Sequence, residues 1–206
     1  MSLTCQTLLE RHAQAWHQAT HHPFLDQCKT GAIASHQFNT WLVQDYLFVT
    51  EFTRMAARLV TVAPLDHFDV LLGGLTALRD ELNWFKAKAA ERGLTLDVPL
   101  QPTCETYCNV MIQLADAPYA VQAIAFWAIE LAYNQGWQLP GPMAEPYTEF
   151  ADRWGNPGFT DYVQLLAQQA DEALAQGQAS DVTRAEAAFL KVAELEQAFW
   201  QMAFTA

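Results

Sequence analysis

The chain has 206 residues and a formal net charge of −12, and 51% of its residues are hydrophobic and 12% aromatic. A chain of this length can bury one large core, and this composition excludes a disordered or tail-like protein. The excess of acidic residues argues against binding a phosphate backbone, so nucleic acid is not expected as a partner.

Apolar residues recur with a period close to 3.6 in nearly every long segment, and strand-like alternation bounded by hairpin turns is absent. We therefore predict an all-α protein that forms a multi-helix bundle. No linker-like tract divides the chain, so a single domain over residues 1–206 is expected. The predicted helices cover approximately residues 3–20, 24–30, 36–62, 65–92, 103–116, 119–137, 145–153, 159–175 and 181–204.

Proline, glycine and capping residues set these boundaries. The pair His22-Pro23 ends the first helix, and His22 is expected to cap or orient the turn before the proline. Ser35 is predicted to cap the third helix. The pair Gly73-Gly74 is a predicted kink in the fourth helix, and Gly93 is predicted to close it.

The location of the protein follows from what the chain lacks. No apolar run approaches the roughly 20 residues that span a bilayer, and Met1–Arg11 lacks the basic-then-apolar order of a signal peptide. We therefore expect a cytoplasmic protein with no membrane partner. The four cysteines are too few for a disulfide scaffold and are interpreted as reduced thiols, Cys104 and Cys108 lying four residues apart on one helix.

Three acids occupy helix positions that normally hold hydrophobic residues. Asp45 shares a helix face with Trp41, Phe48 and Phe52, which lie at spacings of three and four residues. It is therefore expected to point inward.

The other two acids lie on the later helices. Glu130 recurs with Trp127, Asn134 and Trp137, and the run before it carries no other charge. Glu196 lies on the aromatic stripe of the last helix, whereas Glu194 lies off that face and is expected in solvent. A buried carboxylate is costly unless it is hydrogen-bonded, paired or protonated, and such groups are frequent at functional sites. The alternative for each acid is a structural carboxylate satisfied by a neighbouring Tyr, Trp or Arg.

Two motifs near the chain ends resemble the TenA family of thiamin-related enzymes. The segment HPFL at His22–Leu25 precedes FNTWLVQDYLF at Phe38–Phe48, and the last helix carries EQAFWQMA at Glu196–Ala203. Their order and separation are similar to the family pattern over almost the whole chain. The resemblance implies the helical architecture shared with haem oxygenase.

The middle of the chain departs from the usual family pattern. Many members carry a nucleophilic Cys eight residues before a Gly, and counting back from Gly136 reaches Ala128. The segment AFWAIELAYNQGW at Ala125–Trp137 instead resembles the glutamate-type branch called TenA E, and Pro102–Cys108 also suits that branch. On this resemblance, Glu130 takes the place of the thiol.

The resemblance implies a pyrimidine-salvage hydrolase that acts on an aminomethyl-aminopyrimidine or its N-formyl precursor, both breakdown products of thiamin. Asp45 would anchor the aminopyrimidine, Glu196 would act as acid or base near the leaving group, and we assign Glu130 as the base and Glu196 as the acid. Thiaminase activity is not expected, because the family links it to the absent cysteine. Candidates to stack on the heterocycle are Phe48, Tyr107, Tyr133 and Trp154.

The family often has Tyr at the positions of Phe48 and Trp154, so those hydroxyl hydrogen bonds are lost and the choice of substrate stays open. Cys104 and Cys108 are interpreted as helix-face residues rather than substitute nucleophiles. No cofactor and no metal are expected.

Two other function classes compete with this hypothesis. The architecture also hosts haem oxygenases and di-iron oxidases, and His12 and His17 could in principle ligate haem. Yet all six His lie in the first third of the chain, so the later helices have none to complete a di-iron set. The second alternative is a non-catalytic pyrimidine-binding or regulatory protein. A homo-oligomer, dimer or tetramer, is expected from the resemblance and from the surplus of aromatic residues.

Overall fold

The computed structural model of the chain describes residues 3–206, so the first two residues of the predicted domain lie outside it. Within this range the protein contains ten α-helices, one 3-10 helix at Leu65–His67 and no β-strand, which confirms the all-α prediction. The α-helices are α1 (Cys5–Arg11), α2 (Ala13–Thr20), α3 (Pro23–Thr30), α4 (Ser35–Val62), α5 (Phe68–Glu91), α6 (Pro102–Leu114), α7 (Tyr119–Gln138), α8 (Thr148–Trp154), α9 (Pro157–Gln176) and α10 (Ala179–Phe204).

The helices form two compact units. The first unit comprises residues up to 33 and residues 118–201, and the second comprises residues 34–117 and 202–206. The first unit therefore holds α1–α3, α7–α9 and most of α10, and the second holds α4–α6. The expectation of a single domain stays a prediction.

In the first unit, α7 packs against α2, α8 and α9. Its sequence is apolar on every side from Ala123 to Ile129, and a helix without a polar face is stable only inside a core. All residues from Ala120 to Glu130 are buried. Glu130 is thus carried into the core by the helix that bears it.

Tryptophan rings pack around α7, and the indole N–H groups of Trp16 and Trp200 are hydrogen-bonded. The Trp137 ring stacks on Trp154 with centroids 5.6 Å apart. The Trp200 Nε1–H donates to the Ala19 carbonyl at 3.1 Å, and the Trp16 Nε1–H donates to Gln135 Oε1 at 2.7 Å. Because the Trp16 and Trp200 donors are paired, burial of these two large rings avoids the cost of an unsatisfied N–H group.

In the second unit, α4 packs against α5 and α6. The Arg92 guanidinium, just past the end of α5, lies over the Phe38 ring at 4.7 Å from its centroid and donates to Asn39 Oδ1 at 3.0 Å. Near the start of α4, the Gln37 side chain donates to the Phe204 carbonyl. The N-terminal half of α4 is therefore held by α5 and by the last residues of the chain.

Two predictions about helix starts are wrong. The segment predicted as one helix over 3–20 is two helices, because the backbone at His12 leaves the helical region with φ −114° and ψ 30°. Ser35 is the first residue of α4 rather than its cap. Ala34 occupies the cap position, and its N–H donates to Gln37 Oε1 at 3.2 Å. This bond runs from the cap backbone to a side chain of the first turn, so it differs from the bond that a capping serine would accept.

Other boundary predictions are confirmed. His22 caps α3, because its Nδ1 accepts the Phe24 N–H at 3.1 Å while Pro23 occupies the first helical position. Gly93 follows α5 with a φ of +64°, which glycine adopts without strain. The kink at Gly73-Gly74 stays a prediction, since both residues lie within α5 and the helix runs through them.

The sixth helix is Pro102–Leu114, and the predicted 145–153 helix is Thr148–Trp154. Among residues 3–206, no helix is both long enough and apolar enough to cross a membrane.

Candidate active site

Asp45 lies at the centre of the buried face of α4 and is 0% exposed. Trp41, Phe48 and Phe52, the aromatic residues predicted to share its face, are buried with it. The prediction that Asp45 points inward is therefore confirmed. Such a position is costly for a carboxylate unless polar groups compensate it.

Two of the predicted stacking residues contact each other in the second unit. The rings of Phe48 and Tyr107 are 4.7 Å apart between centroids and inclined by 55°. Phe52 extends this group, with its ring stacked on Phe48 at 5.9 Å. The face that carries Asp45 is thus continued by aromatic rings from α4 and α6.

Gln44, next to Asp45 in the chain, ties α4 to the start of α6. Its Oε1 accepts the Gln101 N–H at 2.8 Å and its Nε2 donates to the Pro99 carbonyl at 3.2 Å. Gln44 is not among the predicted site residues, although it belongs to the segment FNTWLVQDYLF at Phe38–Phe48. Because its role depends on a loop some 55 residues away, helical periodicity does not identify it.

Cys104 and Cys108 lie one turn apart on α6. The Cys104 Sγ–H donates to the Gln44 carbonyl at 3.4 Å, and both residues are buried. The hydrogen bond to Cys108, burial and the charge of nearby Asp45 raise the pKa of the Cys104 thiol. The same hydrogen bond lowers the pKa of Cys108 against the opposing effect of burial. Cys104 is therefore a protonated donor and not an activated nucleophile.

Glu130 is 7% exposed in the middle of α7, which confirms the prediction that it is buried. The Tyr162 hydroxyl on α9 donates to Glu130 Oε1 at 3.3 Å. Ala128, two residues before Glu130, is fully buried and carries no nucleophilic group. The carboxylate of α7 is that of Glu130.

Tyr133 and Trp154, the other two stacking candidates, meet edge to face with centroids 5.9 Å apart. Asn134 fixes the end of α8 that carries Trp154, since its Nδ2 donates to the Trp154 carbonyl at 2.7 Å and to Thr160 Oγ1 at 3.1 Å. Asn134 therefore acts on the position of the ring. The sequence placed Asn134 on the Glu130 face, and its tertiary partners are visible only in the structure.

Glu196 is 1% exposed on α10, whereas the side chain of Glu194 is 66% exposed and pairs with Lys191 at 2.8 Å. The prediction that the helix separates these two acids is confirmed. Trp200, one turn after Glu196, lies 6.1 Å from the Tyr133 ring between centroids. This contact joins the aromatic stripe of α10 to the ring group on α7.

The histidines considered as haem ligands make other contacts. His12 Nε2 lies 2.7 Å from Glu186 Oε1, and the His17 ring stacks on His21 with centroids 4.0 Å apart. Across residues 3–206, no three side chains of His, Cys, Asp or Glu are grouped closely enough to hold a metal ion.

Two clefts of about 400 Å³ open in the first unit. One is lined by residues of α1, α7 and α9, including Asn134 and Asp171, and the other lies beside the segment before α8. None of the seven predicted site residues lines either cleft. The site prediction therefore rests on buried helix faces and not on these two cavities.

Comparison with known proteins gives a consistent result over the whole chain. A family model described as TENA/THI-4/PQQC matches residues 9–206. A probable bifunctional TENA-E protein from Glycine max is 35% identical over 96% of this chain and 91% of its own length. An aminopyrimidine aminohydrolase from Halalkalibacterium halodurans is 24% identical over 96% of this chain and 94% of its own length.

Solved structures agree with the sequence comparisons. A TenA homologue from Pyrococcus furiosus superposes with a TM-score of 0.92 at 26% identity, covering 97% of this chain and 98% of that protein. A TenA homologue from P. horikoshii, 19% identical, shares the fold with a TM-score of 0.84 and covers 98% of this chain and 99% of its own. The fold is the haem oxygenase-like helical fold that the resemblance implied. The chain belongs to the TENA/THI-4/PQQC family.

Proposed function

We propose that this protein is a thiamin-salvage hydrolase that converts an aminomethyl-aminopyrimidine, or its N-formyl derivative, towards hydroxymethylpyrimidine. The observation that carries the proposal is the buried Glu130 on α7. It lies two residues after Ala128, the position at which the resemblance places the family thiol. The names of the relatives from Glycine max and H. halodurans support the same chemistry.

We assign the general base to Glu130 and the general acid to Glu196. Hydrolysis needs one group to remove a proton from water and another to supply a proton to the leaving amine. Two carboxyl groups in different surroundings can divide these roles, one ionised and one protonated. Both glutamates are buried, and the Tyr162 hydroxyl donates a hydrogen bond to Glu130, which favours the ionised form of that carboxyl group.

For the amine substrate, Glu130 takes a proton from water as the water oxygen bonds to the methylene carbon. The C–N bond breaks with its electron pair on nitrogen, and Glu196 protonates that nitrogen so that ammonia leaves. One water is consumed, and the two carboxyl groups exchange one proton to return to their starting states. For the N-formyl substrate, the water oxygen bonds instead to the formyl carbon as Glu130 takes its proton. The amide C–N bond breaks, Glu196 protonates the nitrogen, and formate and the aminomethyl-aminopyrimidine are released. The amine then reacts by the first route to hydroxymethylpyrimidine.

Asp45 is proposed to anchor the heterocycle through its ring nitrogen and exocyclic amino group. Phe48, Tyr107, Tyr133 and Trp154 are proposed to stack on the ring, and all four are buried aromatic residues. The absence of a hydroxyl at Phe48 and Trp154 leaves fewer donors for a substituent on the pyrimidine.

The test is a substrate panel. Purified protein is incubated with aminomethyl-aminopyrimidine, its N-formyl derivative and thiamin, while hydroxymethylpyrimidine, ammonium and formate are measured. We expect release from one or both of the first two and none from thiamin. Binding of the pyrimidines without release would indicate a non-catalytic pyrimidine-binding protein and would refute the proposal. The cytoplasmic location and the homo-oligomer stay predictions.

A further inference from the structure

The Tyr162 hydroxyl donates to Glu130 Oε1 at 3.3 Å. Tyr162 is half-buried on α9, and its ring meets Phe159 edge to face with centroids 5.9 Å apart. The proposed reaction uses Glu130 but assigns no proton transfer to this tyrosine. A phenol that reaches a buried carboxylate in hydrogen-bonding geometry can set both its orientation and its protonation state.

We propose that Tyr162 is a positioning residue that keeps Glu130 ionised and oriented for its role as general base. The proposal rests on the proposed function, since it presumes that Glu130 is the base. A hydrogen bond donated to a carboxylate favours the ionised form, and a base must be ionised to accept a proton from water. Burial opposes ionisation, so a donor at this place counteracts the effect of the apolar helix.

The register of α9 against α7 is fixed independently of Tyr162. One helical turn after Glu130, Asn134 Nδ2 donates to Thr160 Oγ1 at 3.1 Å. Asn156 caps α9, with its Oδ1 accepting the Phe159 N–H at 2.9 Å. Removal of the Tyr162 hydroxyl is therefore expected to leave the two helices in place.

Other ionisable groups on the helices packed against α7 contact residues other than Glu130. Asp171 accepts the Cys5 N–H at 2.7 Å, and the charge of Glu172 acts on Tyr119. His17 stacks on His21, and the Arg153 guanidinium lies 6.0 Å from the Trp154 ring centroid. On α8 and α9 the remaining groups of this kind, Glu149, Asp152 and Asp161, are exposed. On α10, whose Trp200 contacts the Tyr133 ring of α7, Glu196 is buried.

The test compares Tyr162→Phe with the matched variant Tyr119→Phe. Both tyrosines are half-buried in the first unit. Tyr119 is influenced by Glu172, because burial and the Glu172 charge raise the pKa of Tyr119 to about 12. Each substitution removes one hydroxyl and keeps the ring. Tyr119→Phe therefore controls for the loss of a buried phenol away from Glu130.

The first readout is the pH dependence of kcat/KM for the pyrimidine substrate. In Tyr162→Phe we expect the acidic limb to move up by about half to one pH unit, and kcat near neutral pH to fall about 2- to 10-fold with KM little changed. Tyr119→Phe should keep the wild-type profile. A merely structural role would change stability without moving the limb.

The second readout does not need activity. In protein carrying carbon-13 at the glutamate carboxyl groups, the Glu130 signal is identified by its loss in Glu130→Gln and is titrated by NMR. Its midpoint should move to higher pH in Tyr162→Phe and not in Tyr119→Phe.

An unchanged midpoint would overturn the inferred contact. A moved midpoint with an unchanged kcat/KM profile would overturn the role in the reaction. If the wild-type protein turns over none of the substrates, the proposed function fails together with this role, and the NMR titration still shows whether Tyr162 controls Glu130.

Discussion

The chemistry proposed for this protein depends on three buried carboxylates. Each lies on a different helix, on a face that also carries aromatic residues. Asp45, Glu130 and Glu196 are each less than one tenth exposed. Helical spacing alone indicated their burial, because each lies three or four residues from aromatic neighbours on one face. Local periodicity thus predicts which acids are buried.

The partners of these acids could not be predicted in the same way. Tyr162 reaches Glu130 across 32 residues, and Gln44 binds the segment at Pro99 across 55. Such contacts depend on how two helices pack, which the period of either helix does not specify. The roles of the seven predicted site residues stay predictions for the same reason.

The contrast between Glu196 and Glu194 gives a matched test of the acid on α10. We expect Glu196→Gln to lower kcat by about 100-fold or more, since an amide cannot supply the proton. Glu194→Gln should keep wild-type activity, because its exposed ion pair with Lys191 contributes little. The measurement is kcat of the two variants by steady-state kinetics. Equal kcat values would show that Glu196 is not the general acid.

At the scale of the helices, the sequence predicts a helix start correctly where a proline fixes it, as at α3. It does not predict the start of α4, where the cap residue has no capping side chain. His22 before Pro23 behaves as expected, whereas Ala34 has no capping side chain and its own N–H donates to Gln37. The break at His12 carries no Gly or Pro. It therefore escaped prediction.

The cap of α3 should make folding stability depend on pH. His22 Nδ1 accepts the Phe24 N–H and so must be unprotonated, and its Nε2 lies 3.2 Å from Gln201 Oε1. Burial lowers the pKa of His22 below 6.5, against weaker opposing effects of Gln201 and Asp26. Below about pH 6.5 the unfolded chain then binds more protons than the folded one, so this contribution to stability is lost as the pH falls.

His22→Asn keeps a capping acceptor and removes the titration. Urea unfolding at about pH 7 and pH 5 should show a smaller loss of unfolding free energy in His22→Asn than in the wild type. His36→Asn, at an exposed histidine in the first turn of α4, should follow the wild type. Equal losses in His22→Asn and the wild type would show that His22 does not couple to folding.

For the whole molecule, the sequence predicted the helical class and the family correctly because both depend on features spread over the full chain. The helical period runs through ten helices of the described residues, and the family model spans residues 9–206. Substrate choice depends instead on a few groups around a small heterocycle. An amine and its N-formyl derivative differ by one such group, so neither composition nor fold separates them.

The central claim is that a carboxylate on α7 replaces the family thiol as the reactive group. The most direct measurement compares wild type and Glu130→Gln for hydroxymethylpyrimidine release from aminomethyl-aminopyrimidine and, by calorimetry, for binding of that substrate. We predict that release falls by about 100-fold or more while the dissociation constant stays within a few fold. Release at the wild-type rate from Glu130→Gln would contradict the account.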